Sequence, residues 1–214
     1  LQINARNELL QIFKKFFDDN QIIIKDKINV YSTPNRLIVH IKKISKEVTK
    51  VAEEIRGPNI NAQEKALTGF LKSNKIGKEK VYKKNTEKGI FYFYNKPSEK
   101  IKTFDLLKDN VASLLLKISW KKSMKWGDHD LYWGRPLKSI LALFDKKVID
   151  FKLNHLQSSN KTFVDKDLEE EIKTFNDFKS YFKFFKQMGI TIDQNKRKEF
   201  IITEINKITN QRKI

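Results

Sequence analysis

The chain contains no cysteine among its 214 residues. This absence excludes disulfide bonds, thiolate metal sites and a cysteine nucleophile. Histidine occurs only three times, without metal-ligand spacing, and the seven glycines form no phosphate-binding loop motif. No run approaches the roughly 18 apolar residues that span a bilayer. We therefore predict no catalytic, cofactor-binding or metal site in this chain, and no membrane segment.

Arginine is also scarce, although positive charge is abundant. Lysine and arginine together number 44, of which only six are arginine, and the formal net charge is +18. Such a charge favours a polyanionic partner such as nucleic acid. Alternatively, a coding sequence biased toward lysine codons would place lysines on solvent-exposed faces. Such a bias explains the same composition without any partner. Both interpretations remain open on composition alone.

Apolar periodicity predicts five helices, at residues 4–20, 63–73, 104–118, 175–188 and 193–209. Alternating residues predict a hairpin of strands 27–32 and 36–44 around the turn Thr33-Pro34-Asn35, and a strand at 89–94. Residues 136–144 could form a helix or a buried strand, and the turn at 145–147 with the alternation at 148–153 favours a second hairpin there. This order indicates an α+β fold in which helices pack on antiparallel hairpins, followed by a helical C-terminal segment. We divide the chain into an α+β module at 1–164 and a mainly helical segment at 165–214, which includes the acidic stretch 167–171.

Two local features of the middle region carry further expectations. Arg56-Gly57-Pro58-Asn59 is typical of a break in regular structure. In the helix at 63–73, a stripe at helical spacing is predicted to be buried, formed by Ala66, Leu67, Phe70 and Leu71.

The tryptophan segment, residues 121–136, gathers the rarest residues of the chain. It holds two of the three tryptophans, two of the seven glycines, one of the four prolines and one of the six arginines. As an RNA-facing loop, it would place its cations on phosphates and its rings on unpaired bases. Alternatively the tryptophans anchor the loop in the core, with Arg135 as a buried hydrogen-bond hub. The usual burial of tryptophan favours anchoring.

Candidate RNA-contacting residues follow from the first interpretation: Lys121, Lys122, Lys125 and Arg135, together with Arg36 after the first turn. Arg36 is equally compatible with an ion pair at a strand edge, and the lysines with plain solvation. The dipeptide His129-Asp130 resembles a metal-phosphohydrolase dyad. Its place in a glycine-flanked loop, without further histidine or aspartate ligands, disfavours that interpretation.

Six blocks occur in the order found in one known family: Ala5-Arg6, Ser32-Thr33-Pro34-Asn35-Arg36-Leu37-Ile38-Val39, Arg56-Gly57-Pro58, Ala66-Leu67-Thr68-Gly69-Phe70-Leu71-Lys72-Ser73, Glu87-Lys88-Gly89, and Met124-Lys125-Trp126-Gly127 with Arg135-Pro136. The chain therefore resembles the N-terminal portion of the beta subunit of bacterial heterotetrameric glycyl-tRNA synthetase. The resemblance runs through nearly the whole sequence.

The resemblance implies ATP-dependent attachment of glycine to its tRNA in the cytoplasm by an α2β2 assembly. In this family the separate alpha subunit activates glycine and binds ATP, whereas the beta subunit binds and positions tRNA. This chain would thus be a subunit of a ligase that needs no cofactor of its own. A stand-alone basic RNA-binding module and a non-functional gene remnant are the alternatives.

Two departures from the family pattern qualify these expectations. Where the family carries a T-x-G-H-R-F block, this chain has Lys161-Thr162-Phe163-Val164, without the glycine, histidine or arginine. The later helical and anticodon-binding regions of the family have no counterpart in the sequence, and its start resembles a chain entered part-way. The sequence is compatible with part of a longer subunit, a split subunit or a gene remnant.

Overall fold

The computed structural model describes residues 2–164 and 171–212. Its helices are α1 Gln2–Asp19, α2 Glu64–Asn74, α3 Thr103–Leu116, α4 Phe178–Gln187 and α5 Gln194–Arg212. Its strands are β1 Ile28–Thr33, β2 Arg36–Ile41, β3 Glu47–Lys50, β4 Glu53–Asn59, β5 Val81–Thr86, β6 Gly89–Lys96, β7 Glu99–Lys102, β8 Met124–Lys125, β9 Tyr132–Trp133, β10 Ile140–Leu141, β11 Leu143–Phe144, β12 Lys147–Val148, β13 Lys152–Leu153, β14 Leu156–Ser159, β15 Lys161–Phe163 and β16 Ile172–Thr174.

The predicted α+β class is confirmed. The five helices expected from apolar periodicity are present, and strand pairing is mostly antiparallel, with β10 and β14 the parallel exception among the described pairs. The boundary proposed at residue 165 and most of the acidic stretch after it lie outside the described residues. By compactness the chain forms two units: Glu47–Ile101 is the second unit, and the chain on either side of it makes up the first unit.

The core of the first unit begins with the apolar face of α1. Its buried side chains recur at helical spacing: Ala5, Leu9, Phe13, Phe16 and Phe17. This helix lies against the hairpin of β1 and β2. Thr33 pairs with Arg36 across the two-residue loop Pro34-Asn35, as the turn residues predict. The turn chemistry therefore fixes the strand register on which α1 packs.

The end of β1 is held by side chains from both ends of the chain. Arg6 of α1 donates to the Ser32 hydroxyl at 2.5 Å, and Arg197 of α5 donates to the Ser32 carbonyl oxygen at 3.1 Å. Gln194 accepts a hydrogen bond from the Ser32 amide at 3.3 Å. Ser32 is only 1% exposed. Its polar groups are therefore satisfied by helices that are distant in sequence.

A second core cluster of the first unit surrounds α4. Its buried members are Val164, Phe175, Tyr181, Phe185 and Ile192. The helix begins after Asp177, whose carboxylate accepts from the Ser180 amide at 2.7 Å in the usual N-cap arrangement. Burial raises the pKa of Tyr181 to about 12, against the opposing positive charge of Arg36. The Tyr181 side chain is thus uncharged at physiological pH and packs in the core as a neutral ring.

The second unit is built on a three-stranded sheet in the order β4-β6-β5. The predicted break at residues 56–59 is wrong: these residues continue β4, with a register shift between Arg56 and Asn59. Such a bulge suits Pro58, which has no amide hydrogen to give to a ladder. Arg56 stacks its guanidinium on the Phe91 ring at 3.6 Å.

Helix α2 lies where the sequence places it but is less buried than predicted. None of its residues is buried: Leu67, Phe70 and Leu71 are half-buried, and Ala66 is exposed. The helix nevertheless approaches β4 closely: a Cβ atom on Gly57 would lie only 3.0 Å from the Phe70 ring. The apolar stripe is therefore only partly covered within the second unit.

Helix α5 has a firmly anchored beginning and an exposed remainder. Five large apolar side chains along it are between 47% and 62% exposed: Phe200, Ile201, Ile202, Ile205 and Ile208. Within residues 2–164 and 171–212, no helix combines the length and apolarity required to cross a membrane.

Candidate nucleic-acid interface

The tryptophan segment folds as a small hairpin whose tryptophan rings pack on the first unit, whereas its Tyr132 is exposed. Strands β8 and β9 pair Met124 with Trp133. The Trp126 indole donates to the Trp133 carbonyl oxygen at 2.9 Å, and the Trp120 and Trp133 rings lie 4.9 Å apart. Trp133 is buried and the other two tryptophans are half-buried. The geometry supports the anchoring interpretation of these rings.

The two glycines of the segment serve different purposes. Gly127 has φ +61°, a conformation that side-chain-bearing residues rarely adopt. Gly134 is instead required for space, because a Cβ atom there would lie 2.6 Å from the Trp120 ring. The glycine thus lets an indole pack directly against the backbone.

We therefore expect Gly134→Ala to destabilise the first unit by about 1–3 kcal/mol, the usual cost of overpacking. The measurement is urea unfolding followed by tryptophan fluorescence, since all three tryptophans belong to this unit. Ser123→Ala is the control: it also places an alanine in the tryptophan segment of the first unit, but at an exposed position. Equal unfolding midpoints for both variants and the wild type would contradict the packing argument.

The cations of the segment point outward. Lys121, Lys122, Lys125 and Arg135 are all exposed, so the idea that Arg135 forms a buried hydrogen-bond hub is wrong. Lys125 donates to Asp130 at 2.6 Å, and this hydrogen bond raises the pKa of the lysine and lowers that of the aspartate. An exposed pair of this kind contributes little to stability. The hairpin therefore presents cations on a base held by packed indoles.

The dipeptide His129-Asp130 does not act as a unit. His129 stacks on His155 with ring centroids 3.5 Å apart, while Asp130 faces Lys125. Both histidines line a cavity of about 340 Å³ beside Trp126 and Trp133. Within the described ranges, no group of three or more acidic or histidine side chains could hold a metal ion.

Arg36 makes its contacts inside the first unit. Its guanidinium donates to the Phe163 carbonyl oxygen at 2.9 Å and lies over the Phe185 ring at 4.2 Å. These contacts join β2 to β15 and α4, elements more than 120 residues away in sequence. RNA contact by Arg36 stays a prediction, but the observed geometry favours a packing role over the alternative of a strand-edge ion pair.

A second cationic surface, which the sequence alone did not reveal, lies on α4. Lys179, Lys183 and Lys186 are exposed and share one side of the helix. They line a groove with His40, which stacks on Phe178. The spacing of four and three residues between the lysines is a signal that the sequence carries. Their convergence with the β1–β2 hairpin depends on the tertiary fold.

Comparison with known proteins gives a consistent result. The sequence model of the family described as "Glycyl-tRNA synthetase beta subunit" matches residues 1–214. The chain is 30% identical over 214 residues to the "Glycine--tRNA ligase beta subunit" of Rickettsia africae, covering all of this chain and 32% of that protein. It is 31% identical over 205 residues to the protein of the same description from Rickettsia bellii strain OSU 85-389, covering 96% of this chain and 31% of that protein. The chain thus spans about a third of the length of these curated relatives.

Proposed function

Because the chain belongs to the glycyl-tRNA synthetase beta-subunit family, we propose that it helps attach glycine to tRNA by holding the tRNA. A separate alpha subunit, joined with it in an α2β2 assembly, would use ATP to activate glycine in the cytoplasm. The observation that carries the proposal is the family match over residues 1–214 of this chain, combined with the outward-facing cations of the tryptophan segment. Phosphate contacts from such cations supply sequence-independent affinity for RNA.

The arrangement of the segment suits this role physically. Its indoles are packed, so the hairpin is a fixed support. Lys121, Lys122 and Arg135 are exposed and form no ion pair with another described residue. Cations of this kind bind phosphate without first breaking an internal contact.

We expect the variant Lys121→Ala/Lys122→Ala/Lys125→Ala/Arg135→Ala to bind glycine-accepting tRNA at least about tenfold more weakly than the wild type. Fluorescence anisotropy with labelled tRNA over a range of salt concentrations measures this. The salt dependence should also become shallower, by about 0.9 in the logarithmic slope for each phosphate that is no longer neutralised. The cause is reduced counterion release.

The matched control removes four exposed lysines from α1 and α3 or their ends: Lys14, Lys15, Lys108 and Lys117. Both variants carry the same net charge. If the control weakens tRNA binding as strongly as the test variant, binding is diffuse and the segment has no special role.

Because we propose that the alpha subunit activates glycine, we expect the purified chain alone to produce no ATP–pyrophosphate exchange with glycine. Exchange should appear when the family's alpha subunit is added. Measurable exchange by this chain alone would contradict the proposal.

Co-purification with an alpha subunit separates the proposed function from the alternative of a stand-alone RNA-binding module. An unchanged tRNA affinity in the fourfold alanine variant would favour a remnant.

A further inference from the structure

A groove of about 940 Å³ opens on the surface of the first unit, and none of the residues that line it belongs to the six family blocks. One wall is the hairpin of β1 and β2 with the residues just before it. The other is α4, and the start of α5 closes one side. The groove is therefore assembled from three segments that are far apart in sequence.

The groove is lined by an excess of positive charge. Its six lysines are Lys27, Lys42, Lys179, Lys183, Lys186 and Lys196, against the two carboxylates of Asp26 and Asp193. Asp193 is occupied in capping α5, where it accepts from the Asn195 amide at 2.9 Å. Among the described residues, none of the six lysines forms an ion pair. Their ammonium groups thus face a polyanion with little internal competition.

The same groove contains a platform of stacked rings. His40 stacks on Phe178 with centroids 3.7 Å apart and planes inclined by 13°, and Tyr31 stacks on the same ring at 6.1 Å. All three are half-buried. Burial lowers the pKa of His40, the carboxylate of Asp26 raises it in part, and Lys42 lowers it further. The imidazole is consequently a neutral flat ring at physiological pH, suited to stacking.

We infer that this basic groove binds an unpaired stretch of RNA, with bases stacked on the platform of His40, Phe178 and Tyr31 and phosphates on the lysines of α4. The combination of lysines with stacked rings indicates the class of ligand. An acidic peptide satisfies the lysines but has no bases for the rings, and a duplex keeps its bases enclosed. The inference rests on the proposed function, which it deepens by naming the part of the RNA that is held.

The test uses the full chain and a labelled twelve-nucleotide oligouridine that forms no duplex. Lys179→Ala/Lys183→Ala/Lys186→Ala is expected to bind it at least about tenfold more weakly, with a logarithmic salt slope lower by about 2, or about 0.7 for each phosphate that is no longer neutralised. The charge-matched control Lys14→Ala/Lys15→Ala/Lys108→Ala should retain most of the affinity. Equal weakening in both variants would overturn the inference.

A second pair of variants isolates the rings from the charges. His40→Ala should lower the affinity for the oligonucleotide about fivefold or more, whereas His40→Phe, which keeps a flat ring, should stay close to the wild type. If both variants bind equally, the rings do not stack on bases and the inference fails. Competition by polyglutamate as effective as that by unlabelled oligouridine would equally overturn it, because the groove would then recognise charge alone.

Failure of this inference can be told apart from failure of the proposed function. Suppose that the alanine variant of the tryptophan segment weakens tRNA binding, while the groove variants leave the affinity for the oligonucleotide unchanged. The proposed function then stands, and the assignment of the groove is wrong. If neither RNA binds the wild-type chain, the proposed function itself is contradicted.

Discussion

Replacing Phe185 by alanine is expected to lower the free energy of unfolding of the first unit by about 3–5 kcal/mol, the range for truncating a buried phenylalanine. Phe185 is only 1% exposed. Its ring lies 4.7 Å from that of Tyr181 and beneath the guanidinium of Arg36. The alanine substitution removes this ring and leaves a cavity. The guanidinium is also deprived of the aromatic face on which it rests.

The unfolding midpoint in urea, followed by tryptophan fluorescence, measures this destabilisation. Phe200→Ala is the matched control, because it removes the same ring from α5 at a position that is 62% exposed. That control should change the unfolding free energy by no more than about 0.5 kcal/mol. Similar destabilisation in both variants would mean that the α4 cluster does not act as a core of this unit.

The second large effect is expected for Arg197→Ala, which should destabilise the first unit by about 2–3 kcal/mol. Arg197 donates to the Thr191 carbonyl oxygen at 2.6 Å and to that of Ser32 at 3.1 Å. Hydrogen bonds from charged donors are worth more than neutral ones, and Ser32 is shielded from the water that could replace the missing donor. The variant therefore leaves a poorly solvated carbonyl oxygen unpaired.

Lys198→Ala provides the control on the same helix, because Lys198 is exposed. The two variants remove the same charge, so a difference between their unfolding free energies reports the hydrogen bonds. Thermal unfolding by circular dichroism gives an independent reading. If Arg197→Ala and Lys198→Ala unfold at the same temperature, the attachment of α5 to β1 contributes nothing.

Much of the fold could be predicted from local sequence. The helix expected at residues 4–20 is observed at Gln2–Asp19, and the turn Pro34-Asn35 sets the register of β1 and β2. These features depend on apolar periodicity and turn chemistry, which act over a few residues. Local patterns also identified the tryptophan segment, whose rings proved to be packing groups.

What could not be predicted depends on contacts between distant segments. Periodicity shows that α2 has an apolar stripe, but not that β4 covers it only partly. The contact of Arg36 with Phe163 joins residues 127 positions apart, and no short-range pattern indicates it. The groove cannot be predicted from local sequence for the same reason, since its lysines lie beside its rings only after β2 packs beside α4.

The family blocks gain a physical explanation from this arrangement. Arg6 donates to Ser32, the first residue of the second block, and Gly57 of the third block lies against Phe70 of the fourth. Each contact joins one block to another. These residues hold the fold together, whereas the cations we propose for RNA binding lie on surfaces that such packing supports.

Lysine acylation footprinting with and without tRNA, read by mass spectrometry, tests this separation of folding residues and RNA-binding surfaces most directly. It compares the reactivity of individual lysines over the whole chain. We expect tRNA to slow acylation of Lys179, Lys183 and Lys186 in the groove and of Lys121 and Lys122 beside the hairpin. Lys14, Lys15 and Lys108 should react at unchanged rates. Uniform slowing of all lysines, or none, would contradict the account.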